Sequence, residues 1–359
     1  FLLIDEPTNH LDMQARETVA RYLGRKSGFI LVSHDRAFLD ACVDHILSIN
    51  RADIEIQSGN FSSWYYNKEL QDAYELDKNE QLKREIGRLE TAAKRTEKWS
   101  DKAEKTKIGG NPNTSEQKSI GHRAHVGEKS RKMMARSKAI GERQQREIDE
   151  KSKLLKNIEE AAPLKLSTLE YHAARLVTLD KVTLSYDGRE VCRDVTFEVR
   201  QGDRIALYGR NGCGKSSVLK LICGDDIDHT GDVRVGSGLK ISYVPQDASF
   251  LSGDLSDYAR ECGIDETLCK TILRKLDFSR VQFEKDMRDY SAGQKKKVLL
   301  ARSLCERAHL YIWDEPLNYI DVLSRMQIEE LIREFTPTLL FVEHDRAFCD
   351  GVATEIVQM

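Results

Sequence analysis

The sequence predicts an α/β protein in which two related parallel-sheet modules are joined by a long antiparallel α-helical hairpin. Three observations predict it. A strand–turn–helix–strand block occurs twice, a glycine-rich loop lies between an apolar strand and a helix, and a charged stretch with heptad spacing separates the two blocks.

The duplication is legible residue by residue. Phe1-Leu-Leu-Ile-Asp-Glu-Pro-Thr-Asn-His-Leu-Asp12 returns as His309-Leu-Tyr-Ile-Trp-Asp-Glu-Pro-Leu-Asn-Tyr-Ile-Asp321, and Ser33-His-Asp-Arg-Ala-Phe38 as Glu343-His-Asp-Arg-Ala-Phe348. Glu6 and Glu315 are 309 residues apart, His34 and His344 are 310 apart, and two blocks in one order at nearly one offset indicate a repeated module. The short apolar runs 1–4, 29–32, 310–313 and 339–342 read as parallel strands covered on both faces.

Upstream of the second block, Gly209-Arg210-Asn211-Gly212-Cys213-Gly214-Lys215-Ser216-Ser217 fits G-x-x-x-x-G-K-[ST]. It follows the apolar run 205–208 and precedes a helical segment at 217–222, the context that gives the motif meaning. Backbone N–H groups of such a loop approach phosphate oxygens, and the helix N-terminus adds roughly half a positive charge. Lys215 is placed for the β- and γ-phosphates and Ser216 for Mg2+. Asp314, at a strand end, can hold Mg2+ through water, and Glu315 can orient or polarise an attacking water. Asp5 and Glu6 occupy the same positions in the first block. The alternative for such acidic residues is helix capping, which Asp321 serves in part. Lys215 precedes Glu315 by 100 residues. The first module's phosphate loop is therefore expected about as far before Phe1, and the chain is expected to lack most of its first module.

Composition narrows the class. A chain of 359 residues exceeds the ~250–300 that one core supports. Charged residues make up 32% and mean hydropathy is −0.53, values that point to long solvated helices. No run reaches the ~18 apolar residues of a membrane helix, and the first residues lack a signal-peptide layout. The eight cysteines are scattered without a C-x-x-C pair and read as free thiols of a cytoplasmic protein. Net charge is −3, yet residues 118–146 carry nine Lys/Arg against two Asp/Glu. A basic segment in an acidic chain suits either a polyanionic partner or a solvated face.

That segment lies in the stretch between the blocks. We divide the chain into 1–66, the C-terminal part of the first module; 67–170, the linker; and 171–359, the second module. Leu82, Ile86, Leu89 and Ala93 are spaced as a coiled-coil seam. Ile140, Ile148, Leu155 and Ala162 form a second seam, and Gly109-Gly-Asn-Pro-Asn113 breaks the helix between them. A first arm over 67–107 would be roughly 60 Å long at ~1.5 Å per residue. His122 and His125 lack further ligands for a metal. Met133 and Met134 suit base contact or hairpin packing equally, and Trp64, Tyr65 and Tyr66 suit an anchor at the arm's base.

Tyr290-Ser-Ala-Gly-Gln-Lys-Lys-Lys-Val-Leu-Leu-Ala-Arg302 resembles the signature segment of the ABC ATPase superfamily, with Ala292 where a second glycine is commonest. The resemblance implies that Ser291, Ala292, Gly293 and Gln294 reach the nucleotide of a head-to-tail partner module. It also implies Gln246 as the Q-loop glutamine near Mg2+, His34 and His344 as switch histidines contacting the γ-phosphate, and Tyr186 as the ring stacked on adenine. ATP and Mg2+ are the implied ligands. One composite site combines Lys215, Asp314, Glu315 and His344 with a first-module signature outside this chain. The other combines Asp5, Glu6, His34 and Ser291–Gln294 with a phosphate loop outside it, so the chain alone is expected to be inactive.

Paired modules with an arm between them resemble the ABC-F family of ribosome-associated ATPases. Lys94-Arg-Thr-Glu-Lys-Trp-Ser-Asp101 and Lys132-Met-Met-Ala-Arg-Ser-Lys138 look like its Lsa-type antibiotic-resistance branch. That likeness implies ribosomal RNA and P-site tRNA as partners of the linker, no membrane, and protection against lincosamides, streptogramins A and pleuromutilins. A housekeeping ABC-F translation factor and the ATPase component of an ABC transporter are the alternative readings. If residues 118–146 contact RNA, neutralising Arg131, Lys132, Arg136 and Lys138 together should lower the log–log salt slope of ribosome binding by up to about 3, at ~0.7–0.9 per phosphate contact. Co-sedimentation across a salt series measures this, and an unaltered slope would remove these four residues from the interface.

Overall fold

The computed structural model describes residues 1–8, 11–26, 28–49, 54–108, 135, 138–143, 145–147, 166 and 168–359. It forms two compact units, Phe1–Trp64 with Ala161–Met359, and Tyr65–Glu160.

In the first unit the opening block folds as β1 (Leu2–Asp5), α1 (Met13–Leu23), β2 (Phe29–Val32) and α2 (Arg36–Cys42), followed by the hairpin β3 (His45–Ile49) and β4 (Ile54–Ser58). Asp12 and Asp35 start the two helices by accepting from Ala15 N and Phe38 N, so the acidic residues after each strand act as caps. β1 and β2 pair in parallel with Asp5 opposite Val32. A small core of Ala20, Leu23 and Phe38 packs beneath Ile4, Phe29 and Leu31. The expectation that these strands are covered on both faces does not hold among the described residues. Leu3 is 77% exposed and Ile30 51%, because the pair is a two-stranded sheet with helices on one side.

The same block recurs in a complete setting. β5 (Arg175–Tyr186), β6 (Arg189–Arg200) and β8 (His229–Val235) make an antiparallel sheet in the order β6-β5-β8. β7 (Arg204–Tyr208), β9 (Ile241–Val244), β10 (Leu310–Asp314), β11 (Leu339–Val342) and β12 (Glu355–Gln358) make a parallel sheet in the order β12-β7-β11-β10-β9. Asp314 stands opposite Val342, the register of Asp5 and Val32 repeated. Alternation along these strands divides their side chains between two cores. Tyr311, Trp313, Leu339 and Phe341 join a helical core, whereas Leu310, Ile312, Leu340 and Val342 face the antiparallel sheet.

The long arm begins earlier than its seam suggests. α3 spans Phe61–Ile108, 48 residues and about 72 Å at ~1.5 Å per residue. Its first residues belong to the first unit, where Phe61 and Trp64 rings lie 5.5 Å apart. Tyr66 is exposed. In the second unit Leu82, Ile86 and Leu89 are half-buried, and the stripe extends back through Asn79 and Glu75 at heptad spacing. The side chain of Ala93, the Gly109–Asn113 break, Ile148, Leu155, Ala162, His122, His125, Met133, Met134 and most of the basic run lie outside the described residues.

The remaining helices follow in order: α4 (Lys215–Cys223), α5 (Leu255–Glu261), α6 (Glu266–Lys275), α7 (Ala292–Cys305), α8 (Val322–Phe335) and α9 (Arg346–Val352). α9 is pinned to the sheet by Phe348, fully buried against Phe341 with ring centroids 5.5 Å apart and near-perpendicular planes. Phe348→Ala should cost about 3–5 kcal/mol. The expected signature is a lower urea midpoint with an unchanged m-value.

Candidate nucleotide site

β7 delivers the chain to the glycine loop, and α4 starts at Lys215. Gly212 and Gly214 take φ of 79° and 95°, left-handed values that side chains with a Cβ resist. A Cβ on Gly214 would also meet Cys192 Cβ at 3.1 Å, and one on Gly209 would meet Cys213 Sγ at 2.7 Å. The loop is thus folded tightly against the β5–β6 hairpin. Lys215 is buried, and its Nζ donates back to the carbonyls of Gly209 (2.9 Å) and Arg210 (3.0 Å). Arg210, Asn211 and Ser217 complete the same turn and helix start.

The parallel sheet brings four further candidates to this end. Ser216 Oγ donates to Asp314 Oδ1 at 3.0 Å. Glu315, at a strained φ of 46°, accepts at Oε2 from Gln246 Nε2 (2.8 Å) and Asn318 Nδ2 (2.6 Å). His344 Nε2 stands 3.5 Å from Glu315 Oε1. Two buried atoms of this group, Asp314 Oδ2 and His344 Nε2, have no hydrogen-bond partner among the described residues. Burial pushes the Asp314 carboxyl up, with Ser216 acting against it. Mg2+ fits here: hard oxygens of Ser216 and Asp314 lie together, and the orphaned Oδ2 is the acceptor a divalent cation would satisfy.

The other predicted residues are placed elsewhere. Glu6 and His34 form a separate pair, Nε2 to Oε1 3.2 Å, with Asp5 exposed beside them. Burial raises the Glu6 carboxyl and lowers the His34 ring, and the Arg325 charge is the next influence on both. Ser291 and Gln294 are engaged with each other: Ser291 Oγ accepts from Gln294 N, and Gln294 Oε1 accepts from Ser291 N at 2.9 Å, a capping box that opens α7. Ala292 is exposed, and Gly293 comes so close to the loop after Glu315 that a Cβ would lie 2.4 Å from Tyr319 O. Tyr186 is 43% exposed, on the hairpin whose turn, Asp187–Gly188, takes φ of 50° and 78°.

Four residues with structural roles here escaped the sequence reading. Asn318 binds Glu315, and its repeat counterpart Asn9 was the available signal. Lys296, in the lysine run of α7, is buried and donates to Pro245 O (2.8 Å) and Asp314 O (3.3 Å). Lys297 donates to Asp321 Oδ2 at 2.7 Å. Glu343, where the first block has Ser33, accepts from Leu317 N (2.7 Å) and His344 N (3.0 Å).

The Glu315 environment predicts a pH response. Burial alone raises its carboxyl, but the His344 ring and the hydrogen bonds from Gln246 and Asn318 outweigh that and hold it at about 2. A glutamate held below its usual 4.5 adds stability that is full above that value and lost as pH falls toward 2. Gln246→Leu with Asn318→Leu should lower stability at neutral pH and flatten the acid limb between pH 4.5 and 2. Calorimetric melting across pH tests this, and an unchanged acid limb would mean the two amides do not hold the charge.

Comparison with known proteins fits this architecture. Residues 192–318 match the family model described as ABC transporter. The chain is 28% identical over 356 residues to the ribosome protection protein VmlR of Bacillus subtilis (strain 168), covering 98% of this chain and 63% of that protein. It is 29% identical over 364 residues to the ATP-binding protein Uup of Escherichia coli (strain K12), covering 99% of this chain and 52% of that one. The chain therefore spans roughly half to two thirds of these relatives. Among solved structures, archaeal ribosome recycling factor aABCE1, in complex with ribosomal stalk protein aP1, superposes with a TM-score of 0.60 at 18% identity, over 100% of this chain and 57% of that one. The parallel sheet, glycine loop and helical elements of this chain have the ABC ATPase fold.

Proposed function

We propose that this chain is the larger part of an ABC-F ATPase that converts ATP and water to ADP and phosphate and acts on the ribosome, protecting it from antibiotics bound near the peptidyl-transferase centre. The observation that carries the reading is a 48-residue charged helix set between two copies of the strand-end Asp-Glu and His arrangement. In this reading 1–66 is the C-terminal part of a first module that pairs head to tail with the second, 171–359, and 67–170 is the arm that meets ribosomal RNA and P-site tRNA in the cytoplasm. The similarity to a protein described as a ribosome protection protein supports it. No helix among the described residues is long and apolar enough to cross a membrane.

The site residues take definite roles. The loop Gly209–Ser217 cradles the phosphates, with Lys215 released from its own carbonyls onto them, and Tyr186 meets the adenine. Ser216, Asp314 and Gln246 hold Mg2+, with Asp5 as the counterpart in the other site. Bound there, Mg2+ supplies charge neutralisation at the phosphate oxygens. Glu315 takes the proton side of an attacking water, and His344 Nε2 donates to the terminal phosphate. Glu6 and His34 do the same for a second nucleotide, which Ser291–Gln294 approach from α7. Phosphoryl transfer asks for positioning and charge more than covalent help, so this set suffices.

The test uses the full-length protein with Glu6→Gln and Glu315→Gln. ATP should still bind while turnover falls by about 100-fold or more, and cells expressing the variant should lose the drug tolerance that the wild type confers on lincosamides or pleuromutilins. Near-normal turnover would remove both glutamates from catalysis. Ribosome binding without a drug phenotype in the wild type would favour a housekeeping translation factor, and co-purification with a membrane permease a transport ATPase.

A further inference from the structure

The first block reaches the second-module histidine through the Arg16 side chain. Arg16, on α1, is 9% exposed and donates to three acceptors. Its Nε donates to Leu11 O at 3.0 Å, and its Nη1 to Asp35 Oδ2 at 2.6 Å and to His344 O at 3.0 Å. The first two bonds stay within the first block. The third crosses 328 residues of sequence to the backbone of the residue whose ring stands beside Glu315.

Arg16 is well fixed for such a contact. Asp35, its ion-pair partner, is itself held as the cap of α2 by Phe38 N at 3.0 Å. The repeat counterpart Arg325 makes the same pair of bonds in the second block, Nε to Ile320 O at 2.9 Å and Nη1 to Asp345 Oδ2 at 3.1 Å. The arginine on the helix after each Asp-Glu strand end is thus a built feature of both modules. The bond to His344 has company, since Arg36 Nη2 meets Glu329 Oε2 at 2.6 Å and Arg346 Nη1 meets Glu17 Oε1 at 3.5 Å, both between the blocks. A cavity of about 360 Å3 borders this junction, lined in part by Arg16, Asp35, Phe38 and His344. The guanidinium therefore bridges two blocks across incompletely filled space, its Nη1 serving Asp35 and His344 while Nε anchors the plane on Leu11 O.

We propose that Arg16 is a positioning residue that sets His344 from the opposite module, so that the second-module site is competent only while the first block is docked. The inference rests on the hydrolytic reading of Glu315 and His344 and adds a coupling between modules to it. A shift of one block would move the His344 carbonyl, and with it the ring that contacts the terminal phosphate. Misplacement of this kind costs up to about 100-fold in rate.

The test compares Arg16→Lys and Arg16→Met in the full-length protein. Arg16→Met leaves Asp35 buried without a cation and is expected to lower thermal stability. Arg16→Lys keeps a charge for Asp35, but its shorter side chain with a single nitrogen gives up the bonds to Leu11 O and His344 O while sparing the ion pair. In Arg16→Lys, kcat for ATP should fall by about 10- to 100-fold while KM changes less than about two-fold, and the labelled His344 ring signals should shift in NMR spectra while those of His229 and His309 stay. A purely structural role predicts instead that Arg16→Lys restores both stability and kcat. Where the wild type turns over ATP, both the kcat loss and the His344 shift are required, and either without the other overturns the inference. Where the wild type has no turnover, the hydrolytic reading fails by itself, and the His344 signal alone then decides whether Arg16 sets that residue.

Discussion

Asp314 ends, and Glu315 follows, a strand of which every residue is buried, and the cost of holding two adjacent carboxylates there organises the surrounding elements around them. Isolated carboxylates in such a place would be driven neutral. Instead each surrounding element supplies a partner: Ser216 from the glycine loop, Gln246 from the loop after β9, Asn318 from the turn, His344 from the end of β11 and the buried ammonium of Lys296 from α7. The sheet order places all of these ends side by side, because β10 lies between β9 and β11.

Lys296 shows how closely the parts are tied. Burial pulls its ammonium down, while Glu343, Asp314 and Glu315 act to keep it charged. It holds the Pro245 carbonyl next to Gln246 and the Asp314 carbonyl at once, and it lies two residues beyond the capping box formed by Ser291 and Gln294. Movement of α7 therefore cannot leave Gln246 or Asp314 unaffected. Lys297, on the same helix, fastens Asp321 at the start of α8.

The two copies of the block share this plan and differ at the residue before the histidine, Ser33 in one and Glu343 in the other. In the first, Ser33 Oγ lies 3.4 Å from Thr8 Oγ1 and accepts from Asp35 N. In the second, Glu343 takes that place, its carboxyl pushed up by burial, and ties the Leu317 and His344 amides together. The second copy thus fixes its histidine through an acidic bracket, whereas Glu6 and His34 sit in a more open pair. This asymmetry agrees with the unequal surroundings of the two blocks, one inside a five-stranded sheet and one on a two-stranded pair.

The duplicated α/β block, the glycine-rich loop and the charged helical arm are legible in the sequence, because each depends on residue types at fixed spacing. Lys215 follows its glycines, Asp-Glu follows an apolar strand, and Leu82, Ile86 and Leu89 recur at heptad intervals whatever the rest of the chain does. Which polar groups meet depends on how distant parts of the chain pack. Spacing does not distinguish the lysines at 295–297, yet Lys296 turns inward and Lys297 turns to Asp321. Nothing in the spacing singles out Arg16 or Arg325, yet both are buried on caps at helix starts, and packing of two distant blocks brings Arg16 to the His344 carbonyl. The physical reason is range: spacing along the chain sets local geometry, while a buried charge finds its partner wherever folding places the nearest acceptor.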